Sequence, residues 1–165
     1  MIRPGLKSAH KIQGRARFVD AKTVEVNGQL YQAKSFILAV GSTPSFDPAW
    51  KNELGDRLIT SDQIFELNAL PKSLAVIGSG VIAIELAQAM QRLGVNTTVF
   101  ARSRKVGVLT SPKLQQLAQT EISAELEIKI EVLPTEVNYT NDQVEISFTE
   151  NGQPKTLNVD YLLVA

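Results

Sequence analysis

The segment Ser73–Ala83, which reads SLAVIGSGVIA, constrains the fold more than any other part of the chain. Leu74–Ile77 is a short, continuous apolar run, as expected of a strand buried on both faces of a parallel sheet. Gly78 supplies a tight turn, and Gly80 lets the main chain approach a ligand that a Cβ atom would exclude. The small Ala83 allows close packing of helix on strand. This order of residues predicts a strand, a turn and a helix whose N-terminus can hold an anion.

The chain continues as a helix and a second strand, completing a βαβ unit. The helical pattern begins at Val81 and ends near Arg92–Gly94, and residues 96–101 read as the next strand. The spacing places Ile82, Leu86 and either Ala89 or Met90 on one apolar face of this helix. The favoured ligand is the pyrophosphate of a dinucleotide. A bare structural turn and another nucleotide-like ligand, such as an adenosyl cofactor, remain alternatives.

Composition and charge exclude several classes of function. Lys plus Arg and Asp plus Glu both number 17, so the zero net charge does not support nucleic-acid binding. No apolar run is long enough to span a bilayer, and the default expectation is a cytoplasmic protein. Without cysteine, the chain can form neither a disulfide nor a thiolate metal site, and no metal site is predicted. The single histidine, His10, is interpreted as a solvated surface residue.

Turn and cap signals predict the remaining elements. Strands are expected at residues 16–20, 22–26, 29–33 and 35–40, with a type I′ hairpin turn at Asn27–Gly28. Residues 45–60 read as a loop, followed by a short helix at 62–67. Ser111 and Pro112 are typical of a helix start, and that helix should run to about residue 126. Four or five strands should then follow, the last at 161–165.

The order of elements repeats along the chain. A hairpin followed by an apolar strand occurs near residues 24–41 and again near 146–165. The pattern is typical of two related dinucleotide-binding domains joined together. Chance is the alternative, because Asn-Gly hairpins are common.

Three motifs together resemble the pyridine nucleotide–disulfide oxidoreductases. These are Gly14–Phe18, the sequence AVGSTP at Ala39–Pro44, and LPKSLAVIGSGVIAIE at Leu70–Glu85. The resemblance is strongest to dihydrolipoamide dehydrogenase. It implies an α/β fold, a Rossmann-like doubly wound parallel sheet with a β-meander, plus the tail of an FAD domain. The implied domains are a remnant of an FAD-binding domain at 1–47, a connection at 48–70 and an NAD(P)-binding domain at 71–165.

The sequence also departs from the family pattern. It contains no N-terminal G-x-G-x-x-G, no C-x4-C redox pair, no dimerisation domain with its His–Glu pair and no T-G-R after the last strand. Val40 stands where the family usually has threonine. The resemblance therefore implies a fragment that is inactive alone, with no catalytic residue of its own. The parent enzyme would be a homodimer assembled through a domain not found here.

Site residues follow from the resemblance. The dinucleotide pyrophosphate and nicotinamide would lie against Gly78, Ser79, Gly80, Val81 and Ile82. Glu85 would point toward the junction of flavin and nicotinamide; alternatively, it is an exposed first-turn acid favoured by the helix dipole. Residues near FAD would be Ala16, Ala39, Val40 and Gly41.

The choice between NAD and NADP depends on the end of the second strand. NAD-binding units usually carry an acid there for the ribose 2′-OH, but this chain has Ala101. Next come Arg102, Ser103, Arg104 and Lys105, three cations in four residues. An arginine at this point can bind a 2′-phosphate. The pattern favours NADP, with NAD and a solvated basic loop as alternatives.

Three kinds of function remain open. The first is the NAD(P)-binding portion of an FAD-dependent oxidoreductase. The second is a non-catalytic nucleotide-binding or redox-sensing module. The third is a stand-alone dehydrogenase, which would need a proton donor beside the nicotinamide. The three tyrosines are all predicted in strands far from the glycine turn, so the third is least supported.

Overall fold

The computed structural model describes residues 11–165, which divide between Ser42 and Thr43 into two compact units. His10, interpreted above as a surface residue, lies outside the described residues. Each unit is described by itself.

The smaller unit is a three-stranded antiparallel sheet. Its strands are β1 (Ala16–Asp20), β2 (Thr23–Val26) and β3 (Gln29–Gln32), in that spatial order. The β2–β3 turn has positive φ at both central residues, 53° at Asn27 and 79° at Gly28. Positive φ at both positions defines a type I′ turn, whose twist matches that of the strands it joins. The predicted hairpin is confirmed.

The strand predicted at 35–40 does not form, so this prediction was wrong. Within residues 11–165 no strand pairs with the segment, and Ile37, Leu38 and Val40 are largely exposed. An apolar run encodes a preference for burial but not the neighbour that provides it. A parallel strand is stable only beside strands that satisfy its main-chain hydrogen bonds. The predicted repeat is therefore realised only in its second copy.

The larger unit contains three helices and eight strands among the described residues. The helices are α1 (Pro48–Leu54), α2 (Val81–Arg92) and α3 (Pro112–Ser123). The strands are β4 (Leu58–Thr60), β5 (Ser73–Ile77), β6 (Asn96–Ala101), β7 (Glu127–Ile130), β8 (Pro134–Thr140), β9 (Gln143–Glu150), β10 (Gln153–Val159) and β11 (Tyr161–Val164). Five of them form a parallel sheet in the order β4-β11-β5-β6-β7, and β8–β10 form an antiparallel meander. The predicted α/β fold with a parallel sheet and meander is confirmed.

The parallel sheet lies between two apolar layers. Side chains alternate along each strand, so Leu74 and Val76 of β5 face one layer while Ala75 between them faces the other. The first layer includes α2. The second includes the meander, where Phe100 of β6 packs edge to face on Phe148, with ring centroids 5.1 Å apart. This placement leaves the carboxyl ends of β5, β6 and β11 free of covering elements along one edge.

Helix α2 has the predicted length but buries a partly different face. Its buried residues are Ala83, Ile84, Ala87 and Met90, whereas Ile82 is 56% exposed and Ala89 is exposed. Of the predicted face, Met90 is buried and Leu86 is partly buried against the same core, while Ile82 and Ala89 lie outside it. Two stripes of apolar residues run along this helix, and helical spacing alone does not say which one meets the sheet. The stripe containing the smaller Ala83 and Ala87 packs there, because small side chains allow the closest approach.

Residues 45–60 are not a loop, contrary to the prediction. Asp47 caps α1 by accepting a hydrogen bond from the main-chain N–H of Ala49 at 2.9 Å, and Pro48 occupies the first helical turn. β4 follows, and its Leu58 and Ile59 are almost fully buried. The cap and proline were present in the sequence. The segment contains few apolar residues, and apolar periodicity is the main sequence signal for a helix or strand.

The predicted start of α3 and the strands after it are confirmed, although α3 ends at Ser123, slightly before the predicted end. Helix α3 begins with Ser111 at the N-cap and Pro112 in its first turn, and five strands follow it. A 3-10 turn at Gln63–Glu66 stands where a short helix was expected. In the described part of the chain, no helix combines the length and apolar character needed to cross a bilayer.

A charge cluster joins β7 to the meander. Lys129 Nζ lies 2.7 Å from Glu127 Oε1 and 3.2 Å from Glu150 Oε1, and Lys155 also contacts Glu150. The hydrogen bond from Lys129 lowers the pKa of Glu127. Hydrogen bonds from Lys155 and Lys129 lower the pKa of Glu150.

This cluster predicts loss of stability in acid. A carboxylate whose pKa is lowered by folding stabilises the fold above its unfolded pKa of about 4.3, and this contribution disappears as pH falls through the folded value. We expect the unfolding temperature to fall below about pH 4.3. In the double variant Glu127→Gln/Glu150→Gln the unfolding temperature, measured by circular dichroism, should fall less over the same pH range. Equal losses in both proteins would contradict a role for this cluster.

Candidate functional site

A cleft of about 490 Å³ opens at the carboxyl ends of β5, β6 and β11. In an open α/β sheet this is the edge where ligands bind. The cleft is lined by residues of the larger unit: Pro44, Ser45, Ile77, Gly78, Ser79, Gly80, Arg102, Ser103, Leu133, Val164 and Ala165. The glycine turn and the basic segment, which are separated by roughly 20 residues in sequence, thus meet at one site.

Gly78 makes the turn that ends β5. Its φ of +124° is one that L side chains rarely adopt, and its N–H donates to the Phe100 carbonyl at 3.0 Å. A Cβ atom here would lie 2.7 Å from the main-chain oxygen of Ala165. Both the φ angle and this contact require glycine.

Gly80 is glycine for a different reason. It is the N-cap of α2 with an extended main chain (φ −68°, ψ 174°), which any residue can adopt. A Cβ atom would have nothing within 4 Å. The protein's own packing therefore does not require glycine, and the space a side chain would fill faces the cleft. Among residues 11–165 no side chain caps α2, so its first N–H groups and positive dipole end are available to an anion.

Ser79 fastens the glycine turn to the basic segment. Its hydroxyl donates to the Lys105 carbonyl at 2.8 Å, and its own carbonyl accepts from the Gly107 N–H at 2.8 Å. Both segments are thereby held on the same side of the cleft.

The predicted basic residues occupy different surroundings. Arg102 and Ser103 line the cleft, while Ala101 is buried in β6. Arg104 instead pairs with Glu131, with Nε 3.0 Å from Oε2. Arg102 forms no ion pair with any of residues 11–165. It is thus the arginine available to an anion in the cleft.

The apolar residues at the start of α2 lie beside the cleft rather than in its lining. Val81 and Ile82 are 40% and 56% exposed. Val81 and Glu85 line a separate apolar groove of about 240 Å³ against Val106 and Leu109. Glu85 is exposed, but it is the fifth residue of α2 and lies beyond the first turn, so the alternative of a first-turn acid is wrong in position.

The four residues predicted near FAD are at exposed positions. Ala16, Ala39, Val40 and Gly41 belong to the smaller unit, and Val40 is 87% exposed.

Six cleft residues were not predicted as site residues from the sequence, among them Ile77, the last residue of β5. Val164 and Ala165 end an apolar strand, and the rule that ligands bind at strand ends could have found them. Pro44, Ser45 and Leu133 carry no local signal, because only the tertiary fold brings them to this edge. Among the residues that the structure describes, no three His, Cys, Asp or Glu side chains are grouped to hold a metal.

Curated relatives are about one-third identical to this chain over the residues that align with it. Mercuric reductase from Staphylococcus aureus is 34% identical over 156 residues, which are 93% of this chain and 28% of that protein. Dihydrolipoyl dehydrogenase from Geobacillus stearothermophilus is 32% identical over 168 residues, 97% of this chain and 35% of that protein. The chain thus spans about a third of the length of these relatives, or less.

Solved structures share the fold. LpdA from Mycobacterium tuberculosis superimposes with a TM-score of 0.71 at 23% identity, covering 93% of this chain and 35% of that one. The flavoprotein disulfide reductase RclA from Escherichia coli gives 0.70 at 18% identity, covering 92% and 35%. The sequence model of the pyridine nucleotide-disulphide oxidoreductases matches residues 5–165. With nearly the whole length matched, the chain belongs to the pyridine nucleotide-disulphide oxidoreductase family.

Proposed function

We propose that the larger unit is the NAD(P)-binding portion of an FAD-dependent oxidoreductase, in which it positions the nicotinamide for hydride transfer to or from a flavin. The observation that carries this proposal is the open space at Gly80. A glycine that neither φ nor packing requires, at the uncapped start of a helix and beside a cleft, fits the close approach of a pyrophosphate.

The ribose end of the cleft favours NADP over NAD. An NAD site needs an acceptor for the 2′-OH, and position 101 is a buried alanine. Arg102 follows it, exposed and lining the cleft. A guanidinium can bind a 2′-phosphate through two parallel charge-assisted hydrogen bonds. Ser103, also in the lining, can add a hydroxyl donor.

The nicotinamide supplies the hydride chemistry when it is bound. This chain's part is binding and orientation: Gly78–Gly80 would hold the pyrophosphate, and the exposed Val81 and Ile82 would exclude water beside the ring. Glu85, four residues into α2, would lie toward the reacting end. No residue of this chain is proposed to transfer a proton.

Flavin is proposed only for the longer enzyme. The described residues of the smaller unit form a three-stranded antiparallel sheet with no strand–glycine–helix cradle. By themselves these residues would not hold a flavin dinucleotide, which would need a cradle supplied by another part of the longer enzyme. Ala16, Ala39, Val40 and Gly41 remain proposed FAD contacts in the longer enzyme, which we propose to be a homodimer in the cytoplasm.

Nucleotide titrations test the NADP assignment. Charge-assisted hydrogen bonds contribute about 1.5–3 kcal/mol, so NADPH should bind about tenfold to hundredfold more tightly than NADH in calorimetry. Arg102→Ala should remove most of this difference and leave NADH affinity nearly unchanged. Added salt should narrow the difference, because Arg102 is exposed.

Arg104→Ala is the matched control. It removes the same charge from the same segment, but Arg104 pairs with Glu131 outside the cleft lining. The control should keep most of the NADPH preference. Equal affinity of the unmodified chain for both nucleotides would overturn the NADP assignment, and binding of neither would overturn the site.

A further inference from the structure

The segment that carries Arg102 is fastened by two glutamines of α3. Residues 102–109 are called the Arg102 loop below. The Gln115 side chain accepts from the Val106 N–H at 2.9 Å and donates to the Val106 carbonyl at 3.3 Å and to the Leu109 carbonyl. Gln119 donates to the carbonyl of Arg104. The loop thus gains hydrogen bonds that its own main chain does not provide.

The two glutamines act from one helix face. Positions 115 and 119 are four residues apart, so their side chains lie one above the other along α3. The Gln115 amide bonds to both the N–H and the carbonyl of Val106, and so satisfies the same main-chain groups that a paired strand would satisfy. On the other side, Ser79 holds the loop through Lys105 and Gly107. The Arg102 loop is therefore held from both sides.

Neither glutamine lines the cleft, so neither is placed to touch a nucleotide there. Their effect on a ligand must act through the loop. An exposed arginine on a mobile loop loses conformational freedom when it binds a phosphate, and this loss reduces affinity. A loop that is already held has less freedom to lose.

We propose that Gln115 and Gln119 are positioning residues that determine nucleotide specificity by holding Arg102 at the 2′-phosphate end of the cleft. The inference rests on the proposed function, because it needs NADP to bind there. NADH has no 2′-phosphate, so its affinity should not depend on the position of Arg102. Loss of the glutamines should therefore weaken NADPH and spare NADH.

The experiment compares Gln115→Ala/Gln119→Ala with Gln116→Ala. Gln116 is on the same helix, is exposed and makes no side-chain hydrogen bond to the loop within residues 11–165. With net hydrogen-bond contributions of ordinary size, the double variant should bind NADPH about fivefold more weakly or worse, with NADH changed less than about twofold. Without nucleotide, amide hydrogen exchange of residues 102–109 should be faster in the double variant only. Gln116→Ala should match the unmodified chain in both measurements.

The outcomes separate this inference from the proposed function. If the unmodified chain prefers NADPH and the folded double variant keeps that preference, the positioning role is overturned. Equal weakening of NADPH and NADH would also overturn it, because that result indicates general damage to the cleft. An unmodified chain that binds both nucleotides without preferring NADPH would overturn the NADP assignment and this inference with it, and would leave the proposed nucleotide site in place. If the double variant does not fold, Gln119→Ala alone should give the same selective loss in smaller degree, and an unchanged preference in that variant overturns the inference.

Discussion

Replacing Gly80 by valine should weaken NADPH and NADH together by about tenfold to hundredfold, because overfilling a tight contact costs about 1–3 kcal/mol. The valine side chain would enter the space that the open Cβ position leaves for a pyrophosphate, which both nucleotides share. The affinity ratio between them should stay constant, unlike in Arg102→Ala. Calorimetric titration of both nucleotides measures this.

Gly80→Thr is the matched control. Threonine has the shape of valine but is a better N-cap, so it keeps the helix start stable while filling the same space. Both variants should lose affinity equally and retain the cooperative melting of the unmodified chain. Nucleotide affinity unchanged in either variant would mean that no ligand approaches Gly80, and the pyrophosphate site would have to lie elsewhere.

Gly78→Ala should instead destabilise the fold, by about 2–5 kcal/mol, because main-chain strain and overpacking act together. The alanine would have to adopt φ near +124° with its Cβ against the Ala165 oxygen. For a chain of this size such a loss should lower the unfolding temperature by roughly 5–15 °C. Thermal denaturation followed by circular dichroism measures it without nucleotide.

Gly107→Ala separates main-chain strain from overpacking, the two expected causes of the instability. Gly107 also has positive φ, +62°, but its nearest Cβ contact would be an ordinary 3.8 Å to Val81. That variant should cost only the main-chain strain, and so less than Gly78→Ala. If the two variants lose equal stability, the contact with Ala165 does not contribute, and the turn depends on φ alone.

The sequence correctly predicts the turns and helix starts that depend on only a few neighbouring residues. Asn27–Gly28 and Asn151–Gly152 form turns with positive φ, as Asn-Gly pairs favour. α3 begins at the Ser111–Pro112 pair because the fixed φ of proline suits the first helical turn, although Ser111 makes no side-chain cap hydrogen bond. The strand, glycine turn and helix at Ser73–Arg92 form for the same reason, since each signal lies within the element that it shapes.

The sequence predicts less well which strands are buried beside partners that lie far away in sequence. The apolar residues 35–40 have no paired strand among the described residues, while Leu58 and Ile59, in a segment read as a loop, are buried beside β11. The β11 strand is more than 100 residues later in sequence. No local pattern specifies which strand will pair with which, because that depends on the whole arrangement of the sheet.

The sequence by itself determined the glycine turn, the helix behind it and the basic residues 20 positions later, because residue type and short spacing specify them. Tertiary structure alone decided which arginine faces the cleft. Arg102 lines the cleft, while Arg104, two residues away, forms an ion pair with Glu131. Tertiary structure also decided that Gln115 and Gln119 hold the loop. These roles depend on distances between elements, and only the packed sheet and helices set those distances.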